Sequence, residues 1–414
     1  MLLQYAPVRP HMVTIKKDLR SGQSVWMAYS RPKIPHENLK SDMRTDVLVI
    51  GAGITGALMA EELTDAGFSV IILDRRVPLT GSTLATTALL QSEIDEPLTK
   101  LSRQIGFDKA ARAWRRSKLG LDSLAEKTQL LGISYDLRPE LSLYTAGNVL
   151  DPDALKKEQD ALRQIGFTSD FLDHKQLTKR YSINARVALL SSGNYSANPY
   201  KLAHGYLKIS KERGTKIFAP EEISDIESSA RRVYAHTKSG FCASARYVVF
   251  TTGYEVPEQL KKQNYKIFST WAMATKKDVA DDIPMLWEAS DPYLYIRRAK
   301  DGRIICGGED EEFSNEKKRD AMTSKKVKAL QRKMKKLLPI IDNTPEYGWC
   351  GSFGVTPTGL PLIGPVPGLK NCFAVLAFGG NGIVNGRIGA DIIRNYLTGK
   401  DDPDADIYNF KLPS

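Results

Sequence analysis

The clearest hydrophobic pattern in the chain is a strand, a helix and a second strand near residue 50. Residues 47–50 form an unbroken apolar run of the kind found in a parallel strand buried on both faces, and residues 70–73 form another. The segment between them predicts a helix that ends at Gly67 and packs through Ala57, Ala60, Leu63 and Ala66. Residues 51–56, GAGITG, join the first strand to this helix. The pattern predicts a βαβ unit with a glycine-rich first turn.

Each glycine of this turn has a mechanical role in dinucleotide binding. Gly51 allows the tight turn, Gly53 lets backbone N–H groups approach a pyrophosphate, and Gly56 allows the helix to pack closely on the strand. The N-terminus of the helix favours the negative charge of the phosphates. Asp74, at the end of the second strand, is placed to bind ribose hydroxyls. These residues leave FAD and NAD both open.

Other segments predict further strands and a C-terminal helix. Residues 137–145 and 293–308 read as β-rich, with strict alternation by twos over 293–297 and a hairpin turn at Asp301-Gly302. Near the C-terminus, the glycine-rich residues 379–382 open a predicted helix over 383–397.

Residues 317–336 predict an amphipathic helix with a strongly basic outer face. The segment contains ten basic residues and one acidic residue. Its apolar stripe consists of Val327, Leu330, Met334 and Leu337. We expect the basic face to be solvated, and contact with RNA, an acidic partner or a membrane surface is the alternative.

Composition is typical of a two-domain enzyme. A chain of 414 residues is too long for one compact core, and its hydrophobic content of 42% is too high for a disordered protein. Apolar runs of about 18 residues are absent, and proline and charges interrupt the N-terminal segment, so we expect a cytoplasmic protein without a transmembrane segment. The four cysteines are scattered without a CxxC pair and predict buried thiols, with no metal site and no disulfide framework.

Beyond Asp74 the sequence favours FAD. A second turn of small residues follows at 81–83, which FAD needs because its flavin runs on into the protein after the adenosine half has docked. The extended pattern resembles the FAD-binding motif of the D-amino acid oxidase (DAO) superfamily, which includes glycine oxidase, sarcosine oxidase and γ-glutamylputrescine oxidase. The residues that carry the resemblance are Gly51, Gly53, Gly56, Ala60, Leu63, Gly67, Val70, Asp74, Gly81 and Ser82.

Three more segments extend the resemblance over most of the chain. Residues 214–223 are similar to the strand after which these flavoproteins hold the adenine, residues 245–253 to their second FAD motif, and residues 349–383 to the segment along the flavin. The resemblance implies that helix 383–397 points at the N1–C2=O edge of the flavin. The cofactor-binding residues that it implies are Gly51, Gly53, Ile54, Thr55, Gly56, Asp74, Arg75, Gly81, Ser82, Thr83, Thr86, Thr87, Ile223, Thr251, Thr252, Gly253, Gly354, Gly379, Gly380, Asn381, Gly382 and Ile383.

The resemblance also implies the fold class. It is an α/β protein with a Rossmann-like FAD-binding domain of the glutathione-reductase type and an interleaved, β-rich α+β substrate domain. The predicted FAD-binding domain comprises residues 46–132, 196–255 and 345–414. The predicted substrate domain comprises residues 133–195 and 256–344, and residues 1–45 form an N-terminal arm.

The chemistry implied by the resemblance is oxidation of a C–N bond in an amine or amino acid. In this superfamily a hydride passes from the carbon bearing the amine to flavin N5, the imine is hydrolysed, and O2 or an electron carrier takes up the electrons. The protein therefore supplies orientation and electrostatics, and no catalytic triad is expected. The candidates for the substrate pocket are Tyr293, Tyr295, Arg297 and Phe353, with Trp26 and Trp271 as further aromatic candidates.

Departures from the family pattern refine this expectation. Glycine oxidase and D-amino acid dehydrogenases clamp the substrate carboxylate with an arginine where this chain has Phe353, so we expect an amine without an adjacent carboxylate, or one bound through Arg297. Sarcosine oxidases attach FAD through a cysteine that aligns with Gly351, and the offset of Cys350 predicts non-covalent FAD. Some oxidases carry a lysine on the strand matching residues 303–306, and its absence here favours a dehydrogenase.

Three other functions stay open. A flavoenzyme acting on a modified RNA base would use the basic helix, and its RNA affinity would fall steeply with salt. A flavin-bound assembly factor without turnover would keep the FAD motifs, but no amine would bleach its flavin. An NAD-dependent dehydrogenase would share the glycine-rich turn and would be colourless when purified.

Overall fold

The computed structural model describes residues 13–133, 136–277, 283–376 and 378–410, so residues 1–12 of the predicted N-terminal arm lie outside it. Within these residues the chain has the predicted α/β class and forms two β-sheets. The strands are β1 (Arg20–Gln23), β2 (Met43–Ile50), β3 (Val70–Leu73), β4 (Leu89–Leu90), β5 (Arg138–Thr145), β6 (Asp170–Asp173), β7 (Val187–Ser196), β8 (Lys216–Phe218), β9 (Ile223–Ser228), β10 (Val233–Thr237), β11 (Cys242–Phe250), β12 (Lys266–Thr275), β13 (Met285–Glu288), β14 (Leu294–Arg298), β15 (Ile304–Glu311), β16 (Pro345–Val355), β17 (Leu362–Pro365) and β18 (Cys372–Leu376). The α-helices are α1 (Ile54–Asp65), α2 (Leu98–Ile105), α3 (Phe107–Leu130), α4 (Pro152–Gln164), α5 (His174–Tyr181), α6 (Pro199–Glu212), α7 (Glu316–Ala321), α8 (Thr323–Leu337), α9 (Gly382–Thr398) and α10 (Ala405–Tyr408).

The smaller sheet has the parallel arrangement of a nucleotide-binding fold. Its central strands run in the order β18-β11-β2-β3-β8, and each neighbouring pair among them is parallel. Strand β17 joins β18, and β9 and β10 extend from β11, all in antiparallel fashion. Ile50 at the end of β2 pairs with Leu73 at the end of β3. The carboxyl ends of these strands therefore meet at one edge, where open α/β sheets bind ligands.

The larger sheet is mostly antiparallel and runs β1-β16-β12-β15-β14-β13-β5-β7-β4, with β6 on β7. Strands β14 and β15 form the hairpin predicted around Asp301 and Gly302. Strand β16, which the predicted boundaries place in the FAD-binding domain, pairs here with β1 and β12. The domain boundaries themselves stay a prediction.

The helix after the glycine-rich turn matches its prediction except at its last residue. Ala57, Ala60 and Leu63 are fully buried, and α1 packs against α6 and α9. Ala66 is exposed, so its assignment to the packing face is wrong: the helix ends at Asp65 and the chain turns away at Gly67, whose φ is +85°. Helix α9 confirms the predicted C-terminal helix. None of the helices that the structure describes has the length and hydropathy needed to span a membrane.

The basic segment forms two helices, α7 and α8, instead of one. Its apolar stripe packs into the core as predicted, with Val327 partly buried and with Leu330, Met334 and Leu337 buried. Two of its cations, Arg319 and Lys326, are also buried and donate hydrogen bonds to backbone carbonyl groups of other segments. These two cations are therefore not part of the predicted solvated basic face, because each bonds within the fold.

Candidate cofactor and substrate site

A large cavity extends from the ligand edge of the smaller sheet to one face of the larger sheet. The ends of β2, β3 and β11 form its wall at one end, and β12, β13, β14 and β16 contribute side chains at the other. Most residues that the sequence implies for the cofactor line it. They are Gly51, Gly53, Ile54, Thr55, Asp74, Arg75, Gly81, Ser82, Thr83, Thr86, Thr87, Ile223, Thr251, Thr252, Gly253, Gly379, Gly380, Asn381, Gly382 and Ile383.

The glycine-rich turn brings backbone donors to the cavity. Gly51 has a φ of +111°, and a Cβ there would lie 2.7 Å from a backbone carbonyl oxygen, so a side chain does not fit. Gly53 is the N-cap of α1, and its lack of a side chain leaves the helix without a side-chain cap. The N–H of Ile54 donates to the Thr83 hydroxyl at 3.0 Å. The remaining N–H groups of this first turn are placed to bind a pyrophosphate.

Two glycines of the predicted set lie behind the cavity wall. A Cβ on Gly56 would lie 1.9 Å from the carbonyl oxygen of Gly51, which is the close contact of helix with strand that the sequence predicts. A Cβ on Gly354 would lie 2.5 Å from the ring of Phe378. Gly354 therefore makes room for a core side chain and does not line the cavity.

The carboxylate of Asp74 is fixed by two backbone donors. Its Oδ2 accepts from the N–H of Ala52 at 2.6 Å and its Oδ1 from the N–H of Arg76 at 2.7 Å. Burial raises the pKa of Asp74, and these two hydrogen bonds oppose the rise. Because each carboxylate oxygen has a second lone pair, Asp74 can bind ribose hydroxyls while it also closes the turn.

An ion-pair network that the sequence analysis missed closes the nucleotide end. Glu255 pairs with Arg76, with 2.5 Å between Oε1 and Nη2, and its Oε1 lies 3.7 Å from Nη1 of Arg75. Glu222 lies 3.7 Å from the other end of the Arg75 guanidinium. The sequence does contain one indication that Glu255 lies at this site, because the residue follows the predicted motif 251–253 almost directly. The network orients both arginines along the cavity wall.

The turn before α9 forms the second group of donors. Helix α9 begins at Gly382, and the side chain of its N-cap Asn381 donates to two carbonyl groups of residues 91–93 and leaves the helix uncapped. The N–H of Gly380 donates to Oδ2 of Asp95 at 2.5 Å. The N–H groups at the start of α9, and not that of Gly380, are therefore the donors left for a flavin edge.

Three substrate-pocket candidates are buried outside the cavity wall. The guanidinium of Arg297 donates to the carbonyl groups of Thr87 at 2.6 Å and Ala197 at 2.8 Å, and burial lowers its pKa to about 10. The indole N–H groups of Trp26 and Trp271 donate to backbone carbonyl groups at 2.7 Å and 3.1 Å. Arg297 is thus occupied in joining β14 to neighbouring segments, and the suggestion that it clamps a substrate carboxylate does not agree with this geometry.

The larger sheet gives the cavity an aromatic wall. Tyr293, Tyr295 and Phe353 line it at the positions that the sequence suggests for a substrate pocket. Trp287 also lines it, and its ring is stacked on Tyr144 with 3.7 Å between ring centroids. The sequence analysis missed Trp287, because β13 has only four residues and shows little alternation.

The charged groups at this end of the cavity are acidic. Glu93 and Asp95 line it, whereas Arg75 and Arg76, the basic residues of the described lining, lie at the nucleotide end. Asp95 is exposed to the space of the cavity, which lies within the protein. Burial at this depth raises the pKa of its carboxyl group. Both acids were overlooked in the sequence, although residues 92–96, SEIDE, follow the second small-residue turn closely.

Cys350 lies outside the described cavity lining. Its Sγ is 3.1 Å from Oγ of Ser21 and 3.2 Å from Oδ1 of Asp320. The thiol is buried in the core cluster beneath α8, whereas the adjacent Gly351 lines the cavity. The one-residue offset noted in the sequence thus separates this thiol from the cavity.

The residues of the cavity fit FAD. Helices α1 and α9 both begin at its wall without a side-chain cap, so one can face the pyrophosphate and the other the flavin edge. Asp74 supplies an acceptor for the ribose on the adenosine side of the pyrophosphate. The aromatic wall of the larger sheet gives the ring system an apolar surface to lie against.

Comparison with known proteins agrees with this fit. The sequence pattern of the family described as FAD dependent oxidoreductase (DAO) matches residues 46–395. The probable oxidoreductase OrdL of Haemophilus influenzae is 23% identical over 385 residues, which cover 89% of this chain and 86% of OrdL. The γ-glutamylputrescine oxidoreductase of Escherichia coli is 23% identical over 389 residues, which cover 90% of this chain and 88% of that protein.

Solved structures share the fold. Glycine oxidase from Geobacillus kaustophilus superimposes with a TM-score of 0.72 at 19% identity, covering 87% of this chain and 96% of the oxidase. L-proline dehydrogenase from P. horikoshii superimposes with a TM-score of 0.76 at 17% identity, covering 89% of this chain and 97% of the dehydrogenase. At these identities the likeness establishes the fold alone.

Proposed function

Because the chain belongs to the DAO family of FAD-dependent oxidoreductases, we propose that it oxidises the C–N bond of an amine that carries no carboxylate beside the reacting carbon. FAD, which Asp74 and the N-termini of α1 and α9 would hold in the cavity, would supply the acceptor, at N5, for a hydride from the carbon that bears the amine, and the imine would then hydrolyse in water. The chain's own residues bind and orient the amine, which can supply much of the rate acceleration in such a reaction.

The charge distribution of the cavity carries this proposal. At the end formed by the larger sheet, Glu93 and Asp95 complement an ammonium group, and Tyr295 offers an aromatic face to it. By the sequence resemblance, Phe353 takes the place of the arginine that clamps the substrate carboxylate in glycine oxidase and D-amino acid dehydrogenases. A carboxylate on the substrate would lie beside these acids without a cationic partner at this end of the described lining, which is costly in a cavity of this kind.

The names of the relatives support oxidation of an amine or an amino acid. One is named for γ-glutamylputrescine, and the solved structures include enzymes named for glycine and L-proline. Phe353 distinguishes this chain from a simple amino acid enzyme, and we therefore favour the amine.

We further propose that FAD is held without a covalent bond, since Cys350 lies off the cavity. The electrons leave to O2 or to a carrier. Residues 303–306 carry no lysine, and this supports a carrier and hence a dehydrogenase.

The proposal is tested by anaerobic reduction of the bound flavin. The purified yellow protein is mixed with alkylamines, polyamines, N-methyl amino acids and D-amino acids, and loss of absorbance near about 450 nm, a general property of oxidised flavin, is followed in time. We expect the amines and polyamines to bleach the flavin and glycine or D-alanine to do so poorly. Rapid bleaching by glycine or D-alanine would contradict the proposal.

The same screen separates the other functions. A flavin that no amine bleaches would support an assembly factor or an enzyme acting on a modified RNA base. Binding of RNA at low salt would then favour the latter. The burial of Arg319 and Lys326 leaves fewer cations free for RNA on the basic segment than its sequence suggests.

A further inference from the structure

A bulge in the larger sheet turns one acid toward the cavity. Strand β12 pairs with β15 so that Trp271 is opposite Gly308 and Ser269 is opposite Glu311. Two residues of β15, Glu309 and Asp310, therefore lie opposite the single intervening residue of β12. Glu309 has a φ of +61°, in the left-handed region. Such bulges redirect side chains and are frequent beside active sites.

The two acids of the bulge differ in their partners: Glu309 is in an ion pair, and the carboxyl of Asp310 is buried. Glu309 is paired with Lys333, with 2.6 Å between Oε1 and Nζ. Both carboxyl oxygens of Asp310 are shielded from solvent, and neither has a hydrogen bond of regular geometry to a described residue. The groups that interact with this carboxyl include the hydroxyls of Thr270 and Tyr293, and both of these residues line the cavity. Asp310 is thus a buried carboxyl outside the described cavity lining, next to the hydroxyls of two residues, Thr270 and Tyr293, that line it.

We propose that Asp310 accepts the ammonium proton of the substrate through the hydroxyl of Tyr293. The inference rests on the proposed amine oxidation, because an amine bound in its protonated ammonium form has no lone pair to assist loss of the hydride. The ammonium gives one proton to the Tyr293 oxygen as the tyrosine gives its own proton to the Asp310 carboxylate. The neutral amine's carbon then loses a hydride, with its two electrons, to FAD. The resulting protonated imine takes up water and releases ammonium, leaving the carbonyl product.

The electrostatic surroundings suit this role. Burial, and to a lesser extent nearby Asp95, raise the pKa of Asp310, while Thr270, Tyr293 and Lys326 oppose the rise, and the net pKa is about 7. Tyr293 itself has its pKa raised well above the usual range, chiefly by burial and then by Asp310 and Asp95, so it remains a neutral hydroxyl that can relay a proton. Tyr295 also faces Asp310. Above neutral pH the carboxyl of Asp310 is ionised and can accept a proton, and below it the carboxyl is already protonated.

The first test measures the carboxyl directly and needs no substrate. Infrared difference spectra of the FAD-loaded protein, recorded between pH 5 and 9, report the C=O band of each protonated carboxyl group. We expect a band that disappears with a midpoint of about pH 7 and is missing in Asp310→Asn. Glu288→Gln is the matched control: Glu288 lies in the same sheet away from the cavity lining, and burial also raises its pKa. A neutral-range band that is as strong in Asp310→Asn as in the unmutated protein, or the absence of such a band from the unmutated protein, would overturn the assignment.

The second test measures the rate of anaerobic flavin reduction by an amine across the same pH range. We expect the rate to fall below about pH 7 in the unmutated protein and in Glu288→Gln. Asp310→Asn and Tyr293→Phe should each lose about a hundredfold in rate, and Asp310→Asn should also lose the pH limb. Bound flavin and the unfolding temperature show whether each variant is folded. If amines reduce the unmutated protein but both variants keep its rate and pH profile, the role of Asp310 is wrong while the proposed function stands. If no amine reduces the unmutated protein, the proposed function fails and this role fails with it.

Discussion

The side chain of Asp95 and the backbone of Gly380 are joined by a hydrogen bond of 2.5 Å from the amide N to Oδ2. The contact ties the acidic segment after β4 to the turn that opens α9. A Cβ on Gly380 would lie 2.6 Å from the other carboxyl oxygen of Asp95. The position of this acid in the cavity therefore depends on the absence of a side chain at 380.

Gly380→Ala should displace Asp95 and slow amine-dependent flavin reduction by about tenfold, the equivalent of roughly 1.4 kcal/mol of transition-state stabilisation. The double variant Gly380→Ala with Asp95→Ala should differ from Asp95→Ala alone by much less than tenfold, because the clash has been removed. Stopped-flow bleaching at saturating amine measures all three proteins. A Gly380→Ala protein that binds FAD and is reduced at the unmutated rate would show that this turn does not position the reacting groups.

Asp74→Asn should weaken FAD binding by roughly 1.5–3 kcal/mol, the range for a hydrogen bond to a charged group. The substitution replaces one acceptor oxygen of the carboxylate with an NH2 donor. This donor would face a backbone N–H group or a ribose hydroxyl in place of the oxygen that accepted from it. Titration of the apoprotein with FAD gives the affinity. The thermal unfolding temperature of the apoprotein shows whether the substitution has also destabilised the turn that Asp74 holds through Ala52 and Arg76.

The matched control for Asp74 is Asp46→Asn. Asp46 lies near the start of β2, far along the strand from the cavity, and also accepts hydrogen bonds from a backbone N–H and a hydroxyl, both of Ser69. We expect this variant to bind FAD with unchanged affinity. Equal affinities for Asp74→Asn and Asp46→Asn would remove Asp74 from the cofactor site.

Local pattern was enough to predict the turn, helix and strand at one end of the cavity. The turn, helix and strand from Gly51 to Asp74 are consecutive in sequence, so each glycine could be given its role before any tertiary contact was known. The substrate half depends on pairing between distant strands. Asp310 lies behind the cavity wall, beside Thr270 and Tyr293, at a bulge between β15 and β12, and no periodicity in the sequence predicts such a bulge.

Arg297 is a residue that the sequence places in the substrate pocket and the structure places outside the cavity lining. Alternation along β14 puts it on the same face as Tyr295, and the prediction of a pocket residue followed from that. The strand continues beyond the edge of the cavity, however, and the carbonyl groups of Thr87 and Ala197 bind the guanidinium there. The packing of other segments determines which residues of a strand line a cavity. The sequence of the strand alone carries no information about that packing.

Phe353→Arg should raise the rate of flavin reduction by D-amino acids relative to that by neutral amines. The added guanidinium would offer a bidentate partner for a carboxylate at the position where the resemblance to glycine oxidase and D-amino acid dehydrogenases implies an arginine. Phe353→Leu, which keeps the position apolar, should leave the preference unchanged. If Phe353→Arg and Phe353→Leu show the same ratio of amino acid to amine rates, Phe353 does not set the specificity.

FAD should leave the protein on denaturation, because the thiol of Cys350 bonds to Ser21 and Asp320 away from the cavity. After acid precipitation, the yellow colour should be found in the supernatant. Cys350→Ser should retain as much FAD as the unmutated protein when folded. Flavin that stays with the precipitated chain, and is lost from it in Cys350→Ser, would contradict the non-covalent attachment.

The central claim is that the acid-lined, aromatic end of the cavity accepts an amine and rejects the same amine when it carries an α-carboxylate. Anaerobic reduction kinetics with matched pairs test it most directly: putrescine against ornithine, cadaverine against lysine and ethylamine against alanine, with both enantiomers of each amino acid. We predict that, in at least one pair, the amine reduces the flavin with a second-order rate constant at least about a hundredfold higher than its carboxylated partner, a difference of roughly 2.7 kcal/mol. Equal or faster reduction by the carboxylated member of every reactive pair would contradict it.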